Sequence, residues 1–196
     1  IMLDITLLDL SASMGLVASI VLTFNFLLGM MISTTYKKHK YWKSLPQRIK
    51  QINIYNLHNW TAYFALFLVL LHPLFLLFDK TTKFKLNDIF FPINAPTQKV
   101  FVTLGTLSMF ALMIVVITTQ KVIRDKISFR AWKNIHLISY TTAMLFVVHG
   151  IVMDPLLKNR PVDIFDAEKV VSELCLVVLL VAAYLRYKFH NKTKIV

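Results

Sequence analysis

The chain has little glycine, little charge and only one cysteine. Its 196 residues include four glycines, one cysteine and 16% charged residues, whereas 57% are hydrophobic. The single cysteine excludes a Cys-x-x-Cys-His motif, and there is no G-x-G-x-x-G element of the kind that binds dinucleotides. So apolar a composition lies outside that of soluble globular domains and predicts a single membrane domain over residues 1–196.

Five apolar segments are each long enough to cross a bilayer as a helix, since a hydrocarbon core of about 30 Å takes roughly 20 helical residues. The sequence therefore predicts an all-α integral membrane protein, a bundle of about five transmembrane helices. The predicted helices lie near residues 10–33, 55–78, 99–119, 133–153 and 168–188. Asp154 and Pro155 are expected to end the fourth helix.

The basic residues predict the orientation of the bundle. The net charge is +12, and 15 of the 22 lysines and arginines follow the first helix, follow the third helix or lie in the tail. Because positively charged connections stay on the cytoplasmic side, we expect the amino terminus outside and the carboxyl terminus inside, in a cytoplasmic membrane of bacterial type. Topology and the lipid membrane thus account for the positive charge, and nucleic acid is not needed as a partner.

Four histidines lie in two of the apolar segments, as two pairs. His58 and His72 are 14 residues apart in the second predicted helix, and His136 and His149 are 13 apart in the fourth. At 1.5 Å per residue these intervals are about 21 and 20 Å, and the topology makes the two helices parallel. His58 is then level with His136 near the cytoplasmic face, and His72 with His149 near the outer face. Ligating side chains at this depth are functional by default, and this is the ligand set for two stacked haems.

The angular spacing fits ideal helices less well than the axial spacing. At roughly 100° per residue, a 14-residue step returns to within about 40° of the first histidine, but a 13-residue step leaves about 140°. We expect the fourth helix to tilt or distort, or a histidine to reach from its flank. Pro73 is expected to bend the second helix, and Gly150 to leave room for a macrocycle.

Each histidine also has a plainer interpretation. A single histidine in an apolar helix is more often a hydrogen-bonded packing residue than a ligand. Four of them at matched heights on parallel helices favour haem ligation. His39 and His190 lie in basic segments and are expected to face solvent.

At these residues the chain resembles the ferric reductase-like transmembrane domain, over about residues 50–190. That family includes NADPH oxidases, ferric reductases and the haem-binding membrane subunit of the bacterial periplasmic methionine sulfoxide reductase system. The residues that carry the resemblance are His58-Asn59-Trp60, Leu71-His72-Pro73, Arg130-Ala-Trp132-Lys-Asn-Ile-His136, Tyr140 and His149-Gly150. The resemblance implies two non-covalent b-type haems. Its iron ligands would be His58 and His136 for the inner haem, and His72 and His149 for the outer haem.

The chain departs from the family pattern in three ways. Most members have six helices with the ligands on the third and fifth, whereas here they lie on the second and fourth. Many carry a flavin and nicotinamide domain after the last helix, whereas here eight residues follow Lys188. We therefore expect electrons from a quinol or from a separate protein that carries FAD or FMN. The methionine sulfoxide reductase subunit usually replaces one of the four ligands, and retention of all four points away from that subgroup.

Iron held by two imidazoles has no vacant coordination site, so such haems carry electrons. The sequence predicts a dihaem cytochrome that relays electrons from a cytoplasmic donor to an outer acceptor, which is a protein, ferric iron or oxygen. One alternative is the haem-bearing membrane subunit of a larger redox complex or periplasmic reductase system. Another is a transition-metal transporter with histidines on a bare ion, which their separation of about 20 Å disfavours.

Several further side chains are candidates for contact with the haems. Arg130, Lys133 and Lys50 can pair with the inner propionates or serve only as topology signals. Lys80 and Lys158 are weaker candidates at the outer haem. The aromatic candidates for the porphyrin walls, which can equally be plain packing residues, are Trp60, Phe64, Phe67, Tyr140 and Phe146. The connection over residues 79–99 is long enough to cover the outer haem or to dock a partner.

Overall fold

The chain folds into five long helices connected by short helical turns. The computed structural model describes residues 6–157 and 167–193, and there is no strand in those two ranges. The long helices are α1 (Leu7–Ser33), α2 (Ile54–Leu76), α3 (Lys99–Thr119), α4 (Phe129–Leu157) and α5 (Ala167–Thr193). Each contains a stretch long and apolar enough to cross a membrane. The prediction of an all-α integral membrane protein with five spans is confirmed.

The helix ends differ from the predicted ones chiefly at α4. This helix begins at Phe129 and runs through Asp154 and Pro155 to Leu157, so the predicted stop at Asp154-Pro155 is wrong. A proline near a helix end removes one backbone hydrogen bond, and the backbone stays helical through it. Lys158 and the side chain of His190 lie outside the described residues.

Short helices occupy the connections. Those on the two basic connections are the 3-10 turn Tyr36–Lys38 and the α-helical turns Lys40–Ser44, Gln47–Lys50 and Lys121–Arg124. Those after α2 are Leu86–Phe90 and the 3-10 turn Pro92–Asn94. His39 is exposed, as predicted, and its ring stacks on Tyr41 at 5.2 Å.

The start of α1 is set by local side-chain hydrogen bonds. Thr6 Oγ1 accepts from the Asp9 amide at 3.1 Å, and the Thr6 amide donates to an Asp9 carboxylate oxygen at 3.2 Å. This reciprocal capping box satisfies backbone donors that the first helical turn leaves without partners. The apolar run that follows can therefore be helical from Leu7 onward.

The helix pairs define an interior between α2 and α4. The most extensive contacts are those of α1 with α2 and of α3 with α4, while α5 packs against α1 and α4. Contacts of α2 with α3 and of α1 with α4 are smaller. α2 and α4 therefore face each other across the bundle, with α1 and α3 beside them. Fully buried Ala18 and Ala65 allow the close approach of α1 and α2 that is typical of membrane helices.

A second core lies between α1, α4 and α5. Its centre is Leu179 of α5, which is fully buried, and Phe26 and Val147 pack in the same cluster. The next residue, Leu180, is 53% exposed on the outer side of the bundle. Adjacent leucines of one helix thus report packing and lipid exposure separately.

We expect Leu179→Ala to destabilise the bundle, whereas Leu180→Ala leaves its stability nearly unchanged. Lipid is as apolar as leucine, so the main loss at Leu179 is packing, and we expect the low end of the usual core range, about 2 kcal/mol. The change at Leu180 should stay within about 0.5 kcal/mol. Thermal unfolding of both variants in the same detergent measures this, and equal midpoints would contradict the packing of α5.

Candidate functional site

The two predicted histidine pairs come together between α2 and α4. The ring centres of His58 and His136 are 6.2 Å apart with the rings 67° from parallel, and those of His72 and His149 are 6.4 Å apart at 81°. Two imidazoles whose nitrogens bind one metal from opposite sides at about 2.0 Å have ring centres about 6.2–6.3 Å apart. Each pair therefore has the spacing of two ligands that share one metal ion. The same pairing means that α2 and α4 run parallel.

Three of the four imidazoles donate a hydrogen bond to a backbone carbonyl of a neighbouring helix. The Nδ1 to oxygen distances are 3.1 Å from His58 to Asn25, 2.6 Å from His72 to Ser11 and 2.8 Å from His149 to Phe101. Because a carbonyl only accepts, Nδ1 carries the proton in each of these rings. The lone pair is then on Nε2, which is the arrangement of a metal-binding histidine with an outer hydrogen bond.

Each of these carbonyls is followed, four residues later, by a glycine that contacts the same ring. A Cβ atom would lie 3.2 Å from His58 at Gly29, 3.2 Å from His72 at Gly15 and 2.7 Å from His149 at Gly105. Residues four apart share a helix face, so the carbonyl and the glycine act together on one imidazole. We call each such carbonyl and glycine a cradle: Ser11/Gly15, Asn25/Gly29 and Phe101/Gly105.

The cradles give α1 and α3 a role that the sequence reasoning missed. The two cradles of α1 are 14 residues apart, which matches the 14 residues between His58 and His72 on α2. Asn25 binds further, since its amide donates to the His58 carbonyl at 2.5 Å and to Thr61 Oγ1 at 2.8 Å. The visible signal was the placement of scarce glycines and of one asparagine in otherwise apolar runs.

His136 is held differently from the other three histidines. Its Nδ1 atom is buried and has no hydrogen-bond partner among the residues that the structure describes. The indole of Trp132, one turn earlier on α4, stacks on its ring at 5.2 Å and 21°. Trp132 Nε1 is likewise buried without a partner in the described chain. His136 therefore has a packing contact where the others have a cradle.

The 13-residue interval on α4 corresponds to this difference in surroundings. His149 leans on α3, where Phe101 accepts its hydrogen bond, whereas His136 lies against Trp132 of its own helix. α4 is an uninterrupted α-helix over both positions, so its two rings leave the helix on different sides.

The outer cavity surrounds His72 and His149 and is mostly apolar. It encloses about 1130 Å³ including its mouth, and no lysine, arginine, aspartate or glutamate lines it among the described residues. Phe84 and Ile89, from the connection after α2, form part of its wall. Thr106 of α3 holds that connection in place by donating to the Ile89 carbonyl at 2.7 Å. The connection thus covers the outer cavity, one of the two roles expected from its length.

The inner cavity surrounds His58 and His136 and is larger and cationic. It encloses about 1920 Å³ including its mouth. Of the three predicted propionate partners only Lys133 lines it, while Arg130 is exposed and, like Lys50, is not part of the lining.

Two arginines that the sequence reasoning missed, Arg124 and Arg186, line the inner cavity. The Arg124 guanidinium lies 4.8 Å from the centre of the Trp132 ring, and that of Arg186 lies 5.7 Å from the centre of Tyr140. In sequence both stand at the ends of apolar runs, where they served only as topology signals.

The predicted aromatic walls are only partly correct. Tyr140 lines the inner cavity and Phe146 the outer one. The other three, Trp60, Phe64 and Phe67, are 71%, 51% and 57% exposed and line neither cavity. Trp60 is two residues from His58 and therefore about 200° around the helix, on the face that points away from the bundle.

The site has the ligand number of a macrocycle-bound metal rather than of a bare ion. No group of three or more histidine, cysteine, aspartate or glutamate side chains is arranged to hold a metal ion in the described ranges. Each pair offers two imidazoles on opposite sides, which are the axial ligands that a haem iron takes. The geometry thus fits two metals whose remaining ligands come from a cofactor.

A comparison with protein families gives one match. The model described as "Ferric reductase like transmembrane component" matches residues 14–148, which is more than half of the chain. The match includes most of α1 and ends one residue before His149, so it begins earlier than the resemblance seen in the sequence. No curated protein and no solved structure matches the chain.

We expect Gly105→Ala to lower the unfolding temperature, because the added methyl group would lie 2.7–3.0 Å from three ring atoms of His149. Overpacking of this kind costs about 1–3 kcal/mol, against a gain of about 1 kcal/mol from replacing a helical glycine. Gly150→Ala is the matched control, since its nearest contacts would be ordinary ones at 3.9 Å. Thermal unfolding of both measures the difference, and a Gly105→Ala protein as stable as Gly150→Ala would refute the close cradle.

Proposed function

The chain belongs to the ferric reductase-like transmembrane family, and we propose that it is a dihaem b-type cytochrome that relays electrons across the membrane. Family membership makes it a membrane component of electron transfer. The observation that carries the finer proposal is the spacing of the two histidine pairs, 6.2 and 6.4 Å between ring centres. Domains of this family generally bind haem. The proposed ligands are His58 with His136, and His72 with His149.

Haem b with two imidazole ligands, when bound, supplies a one-electron carrier whose iron has no open coordination site. The chain supplies position and electrostatics. Each cradle orients an Nδ1–H group and makes Nε2 a better ligand by accepting that hydrogen bond. The cradle glycines allow the ring to lie directly against the supporting helix.

The inner cavity offers cations for the propionates of the inner haem. We propose Arg124, Lys133 and Arg186 for this role, because all three line the cavity. Guanidinium groups pair well with carboxylates through parallel hydrogen bonds. Arg130 and Lys50 stay predictions, as partners nearer the cytoplasmic surface.

The donor and the acceptor follow from orientation and from the domains that are matched. No flavin or nicotinamide domain is matched in these residues. We propose that a separate cytoplasmic flavoprotein with FAD or FMN, or a quinol, delivers electrons to the inner haem. The acceptor at the outer haem is a protein, ferric iron or oxygen.

One observation favours the second candidate, the membrane subunit of a larger redox complex. Phe91 and Ile93 are 71% and 78% exposed on the connection that covers the outer cavity. Exposed apolar side chains at this position offer a contact for an outer partner protein. A stable complex that co-purifies through this connection, and is lost in Phe91→Ser/Ile93→Ser, would distinguish the subunit from a cytochrome that acts alone.

We expect the dithionite-reduced protein to show a b-type spectrum with two haems per chain. Alanine at any one of the four histidines should remove one haem, because a single imidazole leaves its cavity without the opposite ligand. The double variant His58→Ala/His136→Ala should keep one haem, whereas His58→Ala/His72→Ala should keep none. Pyridine haemochrome assay of each purified variant gives the count.

The matched control is His39→Ala, since His39 is an exposed histidine outside the bundle interior. It should retain both haems. A colourless protein, or one that binds zinc or copper in place of haem, would contradict the proposal and support the metal transporter.

We expect positions on opposite sides of the membrane to react differently with an impermeant thiol reagent. In a Cys175→Ser background, Lys80→Cys should be labelled from outside and Lys126→Cys only after the membrane is opened, because the positive-inside rule places Lys126 in the cytoplasm. Both lysines are exposed, so reagent access is comparable. The reverse pattern of labelling would overturn the direction of the proposed relay.

A further inference from the structure

His136 is the one imidazole of the four that has no cradle. The acceptors of the other three are the Ser11, Asn25 and Phe101 carbonyls. The buried Nδ1 of His136 has no such acceptor in the described chain. The neighbouring Ser139 hydroxyl donates to the His136 backbone carbonyl at 2.6 Å and not to the ring.

The stacked indole does not replace the missing acceptor. Trp132 contacts the face of the His136 ring, and an indole has a donor but no acceptor in its plane. A hydrogen bond to the outer nitrogen orients an imidazole and raises its basicity, and its loss weakens metal binding by about 10- to 100-fold. His136 should therefore be a weaker ligand than His58, on the opposite side of the same site.

The space around His136 allows a small molecule to take its place. The inner cavity is the larger of the two, at about 1920 Å³ against about 1130 Å³. It has polar lining residues, among them Ser139 and Arg186, whereas the outer cavity is enclosed by apolar side chains and closed by Phe84 and Ile89. Small ligands thus have room beside His136 and little beside His149.

We propose that His136 is an exchangeable axial ligand, so that the inner site binds small neutral ligands of the carbon monoxide class while the outer site does not. This inference rests on the proposed function. In the exchange the bond from His136 Nε2 to the reduced iron breaks and one bond to the small ligand forms. No electron is transferred, and the released imidazole stays on α4.

Carbon monoxide difference spectra of the dithionite-reduced holoprotein test the proposal. We expect one of the two haems to react, with an affinity at least about tenfold tighter than that of the other haem, in line with the loss of one outer hydrogen bond. In His72→Ala/His149→Ala, which keeps the inner haem only, all of the haem should react. In His58→Ala/His136→Ala, which keeps the outer haem only, none should.

Two variants probe the cradle directly. Trp132→Phe keeps a ring against His136 and should leave the reaction unchanged, whereas Gly105→Ala disturbs the cradle of His149 and should make the outer haem reactive too. A dihaem protein in which neither haem reacts would overturn this inference, since His136 would then be held as firmly as the others. Reaction at the outer haem alone would overturn it as well. A protein without haem would instead overturn the proposed function.

Discussion

Hydrocarbon offers no hydrogen-bond partner, and this constraint governs the interior of the bundle. Every imidazole placed there has an N–H group that must be satisfied by the protein itself. Three histidines meet the requirement with carbonyls of α1 and α3. A helical carbonyl has a second lone pair, so accepting from an imidazole costs the helix none of its own hydrogen bonds. The rings can therefore be anchored without breaking the elements that span the membrane.

This requirement fixes the positions of the helices around the histidines. For an imidazole to reach the backbone of the next helix, the side chain at the point of contact must be absent, and glycines occupy those points. α1 consequently belongs to the site as much as α2 does. The family match that begins within α1, at residue 14, agrees with that assignment. The bundle consists of two ligand-bearing helices, two supporting helices and α5, which packs against α1 and α4.

The sequence predicts the spanning helices and the pairing of the histidines because both depend on periodicity along one helix. It does not predict the acceptors, because a backbone carbonyl has no side chain to reveal it. The 14-residue interval between Gly15 and Gly29 was nevertheless visible beside the equal interval on α2. Arg124 could not be placed, since the turn before α4 sets its position against Trp132. Trp60 was misplaced because its chemistry was weighed before its angle from His58.

An apolar cluster contributes walls to both cavities, and its members include Leu22 and Leu112 beside the inner one and Val69 and Met109 beside the outer one. Such a layer offers no hydrogen-bonded path for protons. Under the proposed function, electrons would cross it without a compensating ion, so each turnover would be electrogenic. Each charge moved across the whole membrane corresponds to about 2.3 kcal/mol per 100 mV. The membrane voltage would then act on the rate of turnover as directly as the supply of donor does.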